Sequence, residues 1–302
     1  MTESATRRLL AAAGKDLDKL VESARNRKFK PVSLGVTTSF TMPVEIGRKK
    51  TANVIGVLPG TDLKDEYVVY TAHHDHLGVA AEGTGDRIYN GARDNALGVG
   101  QVLAIAKAYT ELPERPRRSI IFNFVAAEEQ GLLGSQYYAA HPTVAPGRMA
   151  ANINLDGGNI FGRTKDVVQV GAGKSNIDDV VRFVAEKQGR VLKPEQFPDR
   201  GSYYRSDQFN FAKIGVPAIY ASSGVDYADR PEGWGKQQAE AWTAKHYHQP
   251  SDELDASWDF GAAAQVARLA LWLGYEAAQA AQLPMWMEGE EFYAKTAAVR
   301  GK

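Results

Sequence analysis

The chain has 302 residues, with 36 Lys and Arg against 36 Asp and Glu, so its formal charge is zero. This balance gives no field of one sign to hold nucleic acid or an anionic membrane, and it disfavours both classes of partner. With 44% hydrophobic and 24% charged residues, the composition is typical of a globular protein with a full apolar core. The chain contains no cysteine, so any metal site must be built from His, Asp and Glu.

Apolar stretches in the chain are short. None approaches the roughly 18 residues that a membrane-spanning helix needs. The apolar patch at residues 9–13 is too short for the core of a signal peptide. We therefore expect no membrane contact and no signal peptide in this chain.

The hydrophobic pattern predicts alternating strands and helices. Apolar residues at helical spacing over 6–24 predict an N-terminal helical lead-in within residues 1–30. Strands are predicted at 53–58, 67–72, 118–126, 150–155, 167–170 and 216–221, and helices at 96–109, 131–140, 177–188 and 260–281. Residues 224–245 lack periodicity and are expected to form an irregular loop near the site. The alternation predicts an α/β fold, a three-layer α/β/α sandwich around a largely parallel mixed sheet.

Potential metal ligands cluster after the predicted strands, where ligands bind in open α/β sheets. His73, Glu129 and Asp156 each follow a strand, while Asp94 precedes a helix and His248 lies late in the chain. Taken singly, each has an ordinary explanation, such as a helix cap or a solvated charge. Five such residues at one edge of a sheet repel one another and lose hydration, which costs free energy unless cations neutralise their charge.

Two His and three carboxylates are the donors that a pair of zinc ions needs if one carboxylate bridges them. Each ion then keeps an open position for water. Neighbouring side chains on an extended segment point in opposite directions, so one of Glu128 and Glu129 is expected to bind metal and the other to act as general base. Asp75 lies two residues beyond His73 and is placed to accept the second ring N–H of that His.

Five ordered motifs resemble those of the co-catalytic dizinc aminopeptidase family. They are Ala72-His73-His74-Asp75-His76-Leu77-Gly78, Asp94-Asn95, Glu128-Glu129, Asp156, and Tyr247-His248-Gln249-Pro250-Ser251-Asp252. The resemblance extends from about Asn53 to the C-terminus, and the same family holds aminopeptidase Y, glutamate carboxypeptidase II, glutaminyl cyclase and the transferrin receptor. It implies a zinc-exopeptidase fold, with residues 1–302 as a single metallopeptidase catalytic domain that lacks a protease-associated domain.

The resemblance also implies roles for individual residues. It assigns His73 and Asp156 to one zinc ion, Glu129 and His248 to the other, and Asp94 to both. Glu128 is then the general base, and the Tyr247 hydroxyl stabilises the oxyanion. Arg205, in Arg205-Ser206-Asp207, is expected to meet a carboxylate or carbonyl of the substrate. His76 is expected to belong to a packed, hydrogen-bonded turn, and Co²⁺ or Mn²⁺ are possible substitutes for zinc.

The implied function is a metal-dependent exopeptidase that removes N-terminal residues from peptides, with a metal-bridging hydroxide as nucleophile and Glu128 as general base. A carboxypeptidase or a dipeptidase of the same family is an alternative to the aminopeptidase. A glutaminyl cyclase-like acyltransferase with one zinc and a receptor-like module without metal are further alternatives, although all five ligand positions are retained here. Relatives of this kind are mostly exported, which favours a periplasmic or secreted location. The sequence does not predict the oligomeric state.

Overall fold

The computed structural model describes residues 1–301 and separates two compact units, Met1–Lys49 and the chain from Lys50 onward. The first unit contains helices α1 (Glu3–Ala12) and α2 (Leu17–Ala24). Gly14, with a φ of +66°, separates them, so the prediction of one continuous helix over 6–24 is wrong. The Arg7 guanidinium donates to the carboxylate of Asp18 at 2.8 and 2.9 Å and joins the two helices.

The second unit contains all the strands of residues 1–301. These are β1 (Val54–Leu58), β2 (Leu63–His73), β3 (Gly78–Val79), β4 (Ile88–Tyr89), β5 (Arg118–Val125), β6 (Met149–Asn154), β7 (Asp166–Val170), β8 (Val191–Lys193) and β9 (Ala218–Ser223). Its helices are α3 (Leu97–Glu111), α4 (Leu133–Ala140), α5 (Asp178–Lys187), α6 (Gln208–Lys213), α7 (Trp234–His246), α8 (Phe260–Gln279) and α9 (Tyr293–Arg300).

Seven strands form the central sheet in the order β1-β5-β2-β6-β9-β7-β8. Strand β2 pairs in parallel with both β5 and β6, and the pairs β6–β9 and β7–β8 are also parallel. The two antiparallel pairs are β1–β5 and β7–β9, while β3 and β4 form a separate hairpin. The expectation of a largely parallel mixed sheet is confirmed.

Successive residues of β2 contribute to two apolar cores. Val68 and Tyr70 belong to the core that the sheet forms with α3, α5 and α8. Val69 belongs to the opposite core, which includes residues of α4 and α6. Because alternate residues of a strand face opposite sides, these two cores place helices on both faces of the sheet. The three-layer α/β/α arrangement is confirmed.

The six predicted strands and four predicted helices of this unit are all present, with shifted ends. Sequence periodicity missed β3, β4, β8, α6 and α9, which are short. The prediction of irregular structure over 224–245 is wrong from Trp234 onward, where α7 begins. Only Gly235 of α7 is buried, so this helix carries no apolar stripe from which periodicity could reveal it.

Helix α8 is the longest element of the unit, with 20 residues. It begins after Asp259, whose carboxylate accepts the backbone N–H of Gly261 at 2.8 Å. Its buried side includes Leu269 and Leu273, which join the core above the sheet. Within residues 1–301, no helix combines the length and the apolar character that a bilayer crossing demands.

Candidate active site

The carboxyl ends of three neighbouring parallel strands supply the centre of the site. Strand β2 ends at His73, β5 ends three residues before Glu128, and β6 ends two residues before Asp156. Because these strands run in the same direction, their carboxyl ends lie at one edge of the sheet. The fold therefore brings the predicted ligands together.

The first group of donors surrounds His73, whose side chain is 1% exposed. Its Nε2 lies 3.1 Å from Asp94 Oδ1 and 3.4 Å from Asp156 Oδ1. Burial opposes the charged imidazole, but the carboxylates of Asp156 and Asp94 outweigh it and raise the pKa of His73. One donor atom from each of the three residues lies within 4.8 Å of the others, which suits a single cation.

The second group contains His248 and Glu129. His248 Nε2 lies 3.0 Å from Glu129 Oε2 and 3.4 Å from Asp94 Oδ2. Asp94 thus turns one oxygen toward each His, as a bridging carboxylate does. Burial alone raises the pKa of Asp94, but the neighbouring imidazoles of His248 and His73 outweigh it and hold that pKa below its usual value.

His76 also belongs to the second group, so its assignment to a hydrogen-bonded turn is wrong. Its Nδ1 lies 2.7 Å from Glu129 Oε1, and its side chain is 7% exposed. Neither ring nitrogen has a hydrogen-bond partner within residues 1–301. A donor atom of His76 lies within 4.8 Å of one from Asp94 and one from Glu129. The spacing of three residues between His73 and His76 is the only signal in the sequence for a shared site. It is not sufficient, because the path of the turn after β2 decides whether the ring of His76 faces the metal donors.

Several buried donor atoms in the second group lack partners within residues 1–301. Glu129 Oε1, His248 Nε2 and both ring nitrogens of His76 make no contact there with hydrogen-bond geometry. His76 Nδ1 and His248 Nε2 nevertheless face the Glu129 carboxylate at 2.7 and 3.0 Å, as ligands around a shared ion would. Native proteins rarely leave buried polar atoms unsatisfied unless an ion or water occupies them. Imidazoles and carboxylates are ligands of zinc, and also of cobalt and manganese. The donor set therefore fits a divalent metal centre.

Asp75 supports this centre in a different way from the one predicted. The Nδ1 of His73 lies 3.1 Å from the backbone oxygen of Asp75 but 3.7 Å from its carboxylate. The carboxylate instead accepts the backbone N–H groups of Glu128 at 3.0 Å and Glu129 at 3.2 Å. The backbone carbonyl thus orients the imidazole, while the side chain holds the segment that carries both glutamates.

Two further side chains hold the loops that carry Asp94 and Asp156. Asn95, joined to Asp94 by a cis peptide bond, accepts the backbone N–H of Gly157 at 2.9 Å. Asp252 accepts the backbone N–H groups of Arg93 at 2.9 Å and Asp94 at 3.0 Å. The segment with the last ligand, His248, is thereby tied to the bridging position.

Asp156 has two supports that the sequence did not reveal. The Ser206 hydroxyl donates to Asp156 Oδ2 and accepts a hydrogen bond from Asn154 Nδ2 at 2.7 Å. The Tyr220 hydroxyl donates to the backbone oxygen of Asp156 at 2.7 Å. Both residues are far from Asp156 in the chain. The Arg205-Ser206-Asp207 motif is the one signal in the sequence, and it points to Arg205 rather than to Ser206.

Glu128 lies beside both donor groups. Its Oε2 is 3.9 Å from His73 Nε2, and one donor atom of Glu128 lies within 4.8 Å of donors from His73 and Glu129. Burial, followed by the charge of Asp156, raises the pKa of Glu128 to about 9. A buried carboxyl with such a proton affinity at the edge of a metal centre is suited to proton transfer.

A cleft of about 570 Å³ opens on the donor groups and is lined by Glu128, Asp156, Arg205 and Tyr247. This volume is within the range of small-molecule binding sites. The Tyr247 ring stacks on His248, with centroids 3.8 Å apart. Burial raises the pKa of Tyr247 to about 12, so its hydroxyl keeps its proton and is able to donate. The structure thus brings the predicted base, hydroxyl donor and arginine to one cleft.

The sequence profile of peptidase family M28 matches residues 53–273, which is most of the chain and includes every residue of the site described above. The chain belongs to peptidase family M28. This finding confirms the family resemblance inferred from the ordered motifs. All five predicted ligands of this M28 chain lie within the matched range.

Three relatives of this M28 chain are informative. Aminopeptidase YwaD of Bacillus subtilis (strain 168) is 29% identical over 208 residues, 67% of this chain and 40% of YwaD. Leupeptin-inactivating enzyme 1 of Streptomyces exfoliatus is 27% identical over 168 residues, 54% of this chain and 36% of that enzyme. The solved structure of an aminopeptidase from Aneurinibacillus sp. strain AM-1 has a TM-score of 0.55 at 25% identity, covering 76% of this chain and 49% of that one. This chain thus spans less than half the length of each of these relatives.

Proposed function

We propose that this chain is an aminopeptidase with two zinc ions, which removes N-terminal residues from peptides. His73 and Asp156 would hold one ion, Glu129 and His248 the other, with Asp94 shared between them. The observation that carries the proposal is the placement of Asp94, whose two oxygens lie 3.1 Å from His73 Nε2 and 3.4 Å from His248 Nε2. A carboxylate that faces two separate imidazoles is suited to two cations rather than one.

Bound zinc supplies Lewis acidity, which lowers the pKa of a water molecule and polarises a carbonyl group. Glu128 takes a proton from the attacking water at its carboxylate and delivers it to the leaving amine. Its pKa is raised to about 9 by burial and by Asp156. Divalent cations nearby favour its ionised form. These opposing effects bring the pKa of Glu128 toward neutral pH. A carboxyl group with such a pKa both accepts and returns a proton near neutral pH.

The other cleft residues position the substrate. The carboxylates of Glu128 and Asp156 line the cleft and provide negative charge for the free amino group of the peptide. Tyr247 provides a hydroxyl donor for the carbonyl oxygen as negative charge develops on it. All of these residues belong to the unit from Lys50 onward, which we propose as the catalytic domain.

The names of two relatives favour an aminopeptidase over a carboxypeptidase or dipeptidase. YwaD and the Aneurinibacillus protein are both called aminopeptidases. A cyclase with one zinc or a receptor-like module without metal has no need for five converging donors. Their convergence in this chain therefore supports the hydrolase over either alternative.

The first experiment compares leucine p-nitroanilide with its N-acetylated form in zinc-loaded protein. We expect hydrolysis of the free-amine substrate alone, because Glu128 and Asp156 bind an ammonium group and not an amide. Hydrolysis of both substrates would favour a broader amidase that does not recognise the free amino group. Hydrolysis of neither would favour the carboxypeptidase or dipeptidase, which need a C-terminal carboxylate that a p-nitroanilide lacks, or the cyclase or the receptor-like module.

The second experiment replaces the base by Glu128→Gln. The amide is unable to accept the proton from water, so we expect kcat to fall by about 10²- to 10⁴-fold while zinc content is unchanged. Glu114→Gln, at an exposed position, is the matched control and should keep wild-type activity. Full activity in Glu128→Gln would exclude this residue as the base.

A further inference from the structure

The cleft carries positive charge in addition to the negative charge of the metal donors. Arg93, Arg200 and Arg205 line it, and its carboxylates are Glu195 and three acidic residues of the catalytic centre. Two divalent cations would neutralise the acidic residues of the centre. The rest of the cleft then keeps an excess of guanidinium groups, which favours a substrate with an anionic group.

Arg93 is the most firmly held of the three arginines. Its Nε donates to the backbone oxygen of Gly158 at 2.7 Å. The guanidinium carbon lies 4.1 Å from the ring centroid of Trp242 and 5.5 Å from that of Phe161. Stacking between aromatic rings fixes the plane of the guanidinium and leaves its fork of N–H donors oriented for a planar partner.

No carboxylate within residues 1–301 lies at ion-pair distance from the Arg93 guanidinium, whose direct contacts are a carbonyl oxygen and aromatic rings. The carboxylates of Asp252 and Asp94 act on its charge only from a greater distance. Burial lowers the pKa of Arg93, yet a guanidinium remains charged in proteins. A partly buried cation without a carboxylate at ion-pair distance is costly, and a ligand that brings one relieves that cost through charge-assisted hydrogen bonds.

We propose that the cleft selects peptides with a carboxylate close to the scissile bond and that Arg93 binds this carboxylate. The carboxylate comes either from an acidic N-terminal side chain or from the C-terminus of a dipeptide. This inference rests on the aminopeptidase function proposed above and names its substrate class. Because Arg93 lines the same cleft as Asp94, Glu128 and Asp156, we expect the group it binds to belong to a residue close to the reacting bond.

The other two arginines are less suited to this task. Arg200 stacks on Phe197, at 4.0 Å from its ring centroid, at another part of the cleft wall. Arg205 is exposed, so water screens its charge. Arg93 alone combines the cleft position with two aromatic neighbours and a hydrogen bond that fixes its orientation.

The experiment uses two pairs of substrates that differ only in charge. Zinc-loaded protein is assayed with the 4-methylcoumarin amides of Glu and Gln, and with Leu-Gly and its C-terminal amide. The measured quantity is the ratio of kcat/KM for the charged member to that for the neutral member. Any general damage to the metal centre affects both members and cancels in this ratio.

The variants are Arg93→Met, which keeps the length of the side chain, and Arg93→Lys, which keeps the charge but loses the planar fork. Arg182→Met removes an exposed arginine of α5 that is paired with Asp179, and it is the matched control. Zinc content and the thermal midpoint are measured for each variant to establish that it is folded and loaded.

We expect wild-type protein to prefer the charged member of one pair by at least about 10-fold, the effect of one hydrogen bond to a charged group. The pair that shows the preference identifies the source of the carboxylate. Arg93→Met should bring the ratio close to one, Arg93→Lys should give an intermediate ratio, and Arg182→Met should leave it unchanged.

Equal kcat/KM within both pairs in wild-type protein would overturn the inference while leaving the aminopeptidase function intact. A preference that survives in Arg93→Met would also overturn it and would transfer the role to another arginine. Failure to hydrolyse any of the four free-amine substrates would instead overturn the proposed function itself.

Discussion

The carboxylate of Asp75 accepts the backbone N–H groups of Glu128 at 3.0 Å and Glu129 at 3.2 Å. One side chain thus fixes the two adjacent residues proposed as general base and metal ligand. An asparagine at this position has a single acceptor oxygen, and its NH₂ group would face a backbone donor. Asp75→Asn therefore removes one hydrogen bond and adds an unfavourable contact.

We expect Asp75→Asn to lower kcat by about 10- to 100-fold, the usual effect of losing a residue that orients a metal site. Steady-state assays with leucine p-nitroanilide and a zinc determination measure the two consequences separately. Asp65→Asn changes an exposed residue of the same strand and serves as control. Unchanged kcat in Asp75→Asn would show that the two glutamates keep their positions without it.

The sequence predicts that Asp75 is important for the site, but it does not predict the contacts that Asp75 makes. Its spacing to His73 predicts its importance but not its partners, because these follow the end of β5, which pairs with β2 only in the folded sheet. The ligands themselves were predictable, since strand ends are readable from apolar periodicity and ligands gather there.

The unpredicted parts of the site depend on contacts that leave no local pattern. Ser206 reaches Asp156 across 50 residues of chain, and Tyr220 reaches it across 64. His76 is three residues from His73, yet the course of the turn decides whether its ring faces the metals. Helix α7 buries only Gly235, so hydrophobic periodicity carries no signal for it.

Ser206→Ala should weaken zinc binding. The hydroxyl donates to Asp156 Oδ2, and its loss leaves this carboxylate free to rotate and removes a partner of Asn154. We expect zinc affinity to fall by about 10- to 100-fold, as measured by competition with a chelator. Ser39→Ala, at an exposed position, should retain wild-type affinity. An unchanged affinity in Ser206→Ala would mean that other contacts are enough to orient Asp156.

His76→Leu should selectively weaken one of two zinc-binding steps. His76 Nδ1 lies 2.7 Å from Glu129 Oε1, so the imidazole either binds the metal held by Glu129 or orients that carboxylate. Leucine has a similar volume but offers no donor. Isothermal titration of metal-free protein with zinc should show one step weakened by about 10-fold or more. His141→Leu, an exposed position, is the control, and identical titration curves for both variants would contradict a role for His76.

The pH dependence of kcat/KM should report the ionisation of Glu128. The base is active when deprotonated, so the rate should rise as pH increases through its pKa. Burial raises that pKa to about 9, and bound cations lower it again, so the midpoint of the rise should lie between the ordinary value of 4.5 and about 9. A rate that is constant from pH 4 to pH 9 would contradict this assignment.

Asp207 should make the stability of metal-free protein depend on pH. It is fully buried, and burial raises its pKa from 3.8 to about 7. The folded state therefore binds this proton more tightly than the unfolded state does, so the contribution of Asp207 to folding is lost as pH rises from 3.8 through 7. The difference between the two values corresponds to at most about 4 kcal/mol in the free energy of unfolding.

Asp207→Asn removes this titration. In chelator-treated protein, the variant should gain stability over the wild type between pH 5 and pH 8, as measured by urea unfolding at each pH. Zinc loading should reduce the gain, because nearby cations stabilise the ionised carboxylate of the wild type. Asp65→Asn, which alters an exposed carboxylate, should show no such trend. An equal stability difference at pH 5 and pH 8 would mean that Asp207 does not change its protonation in this range.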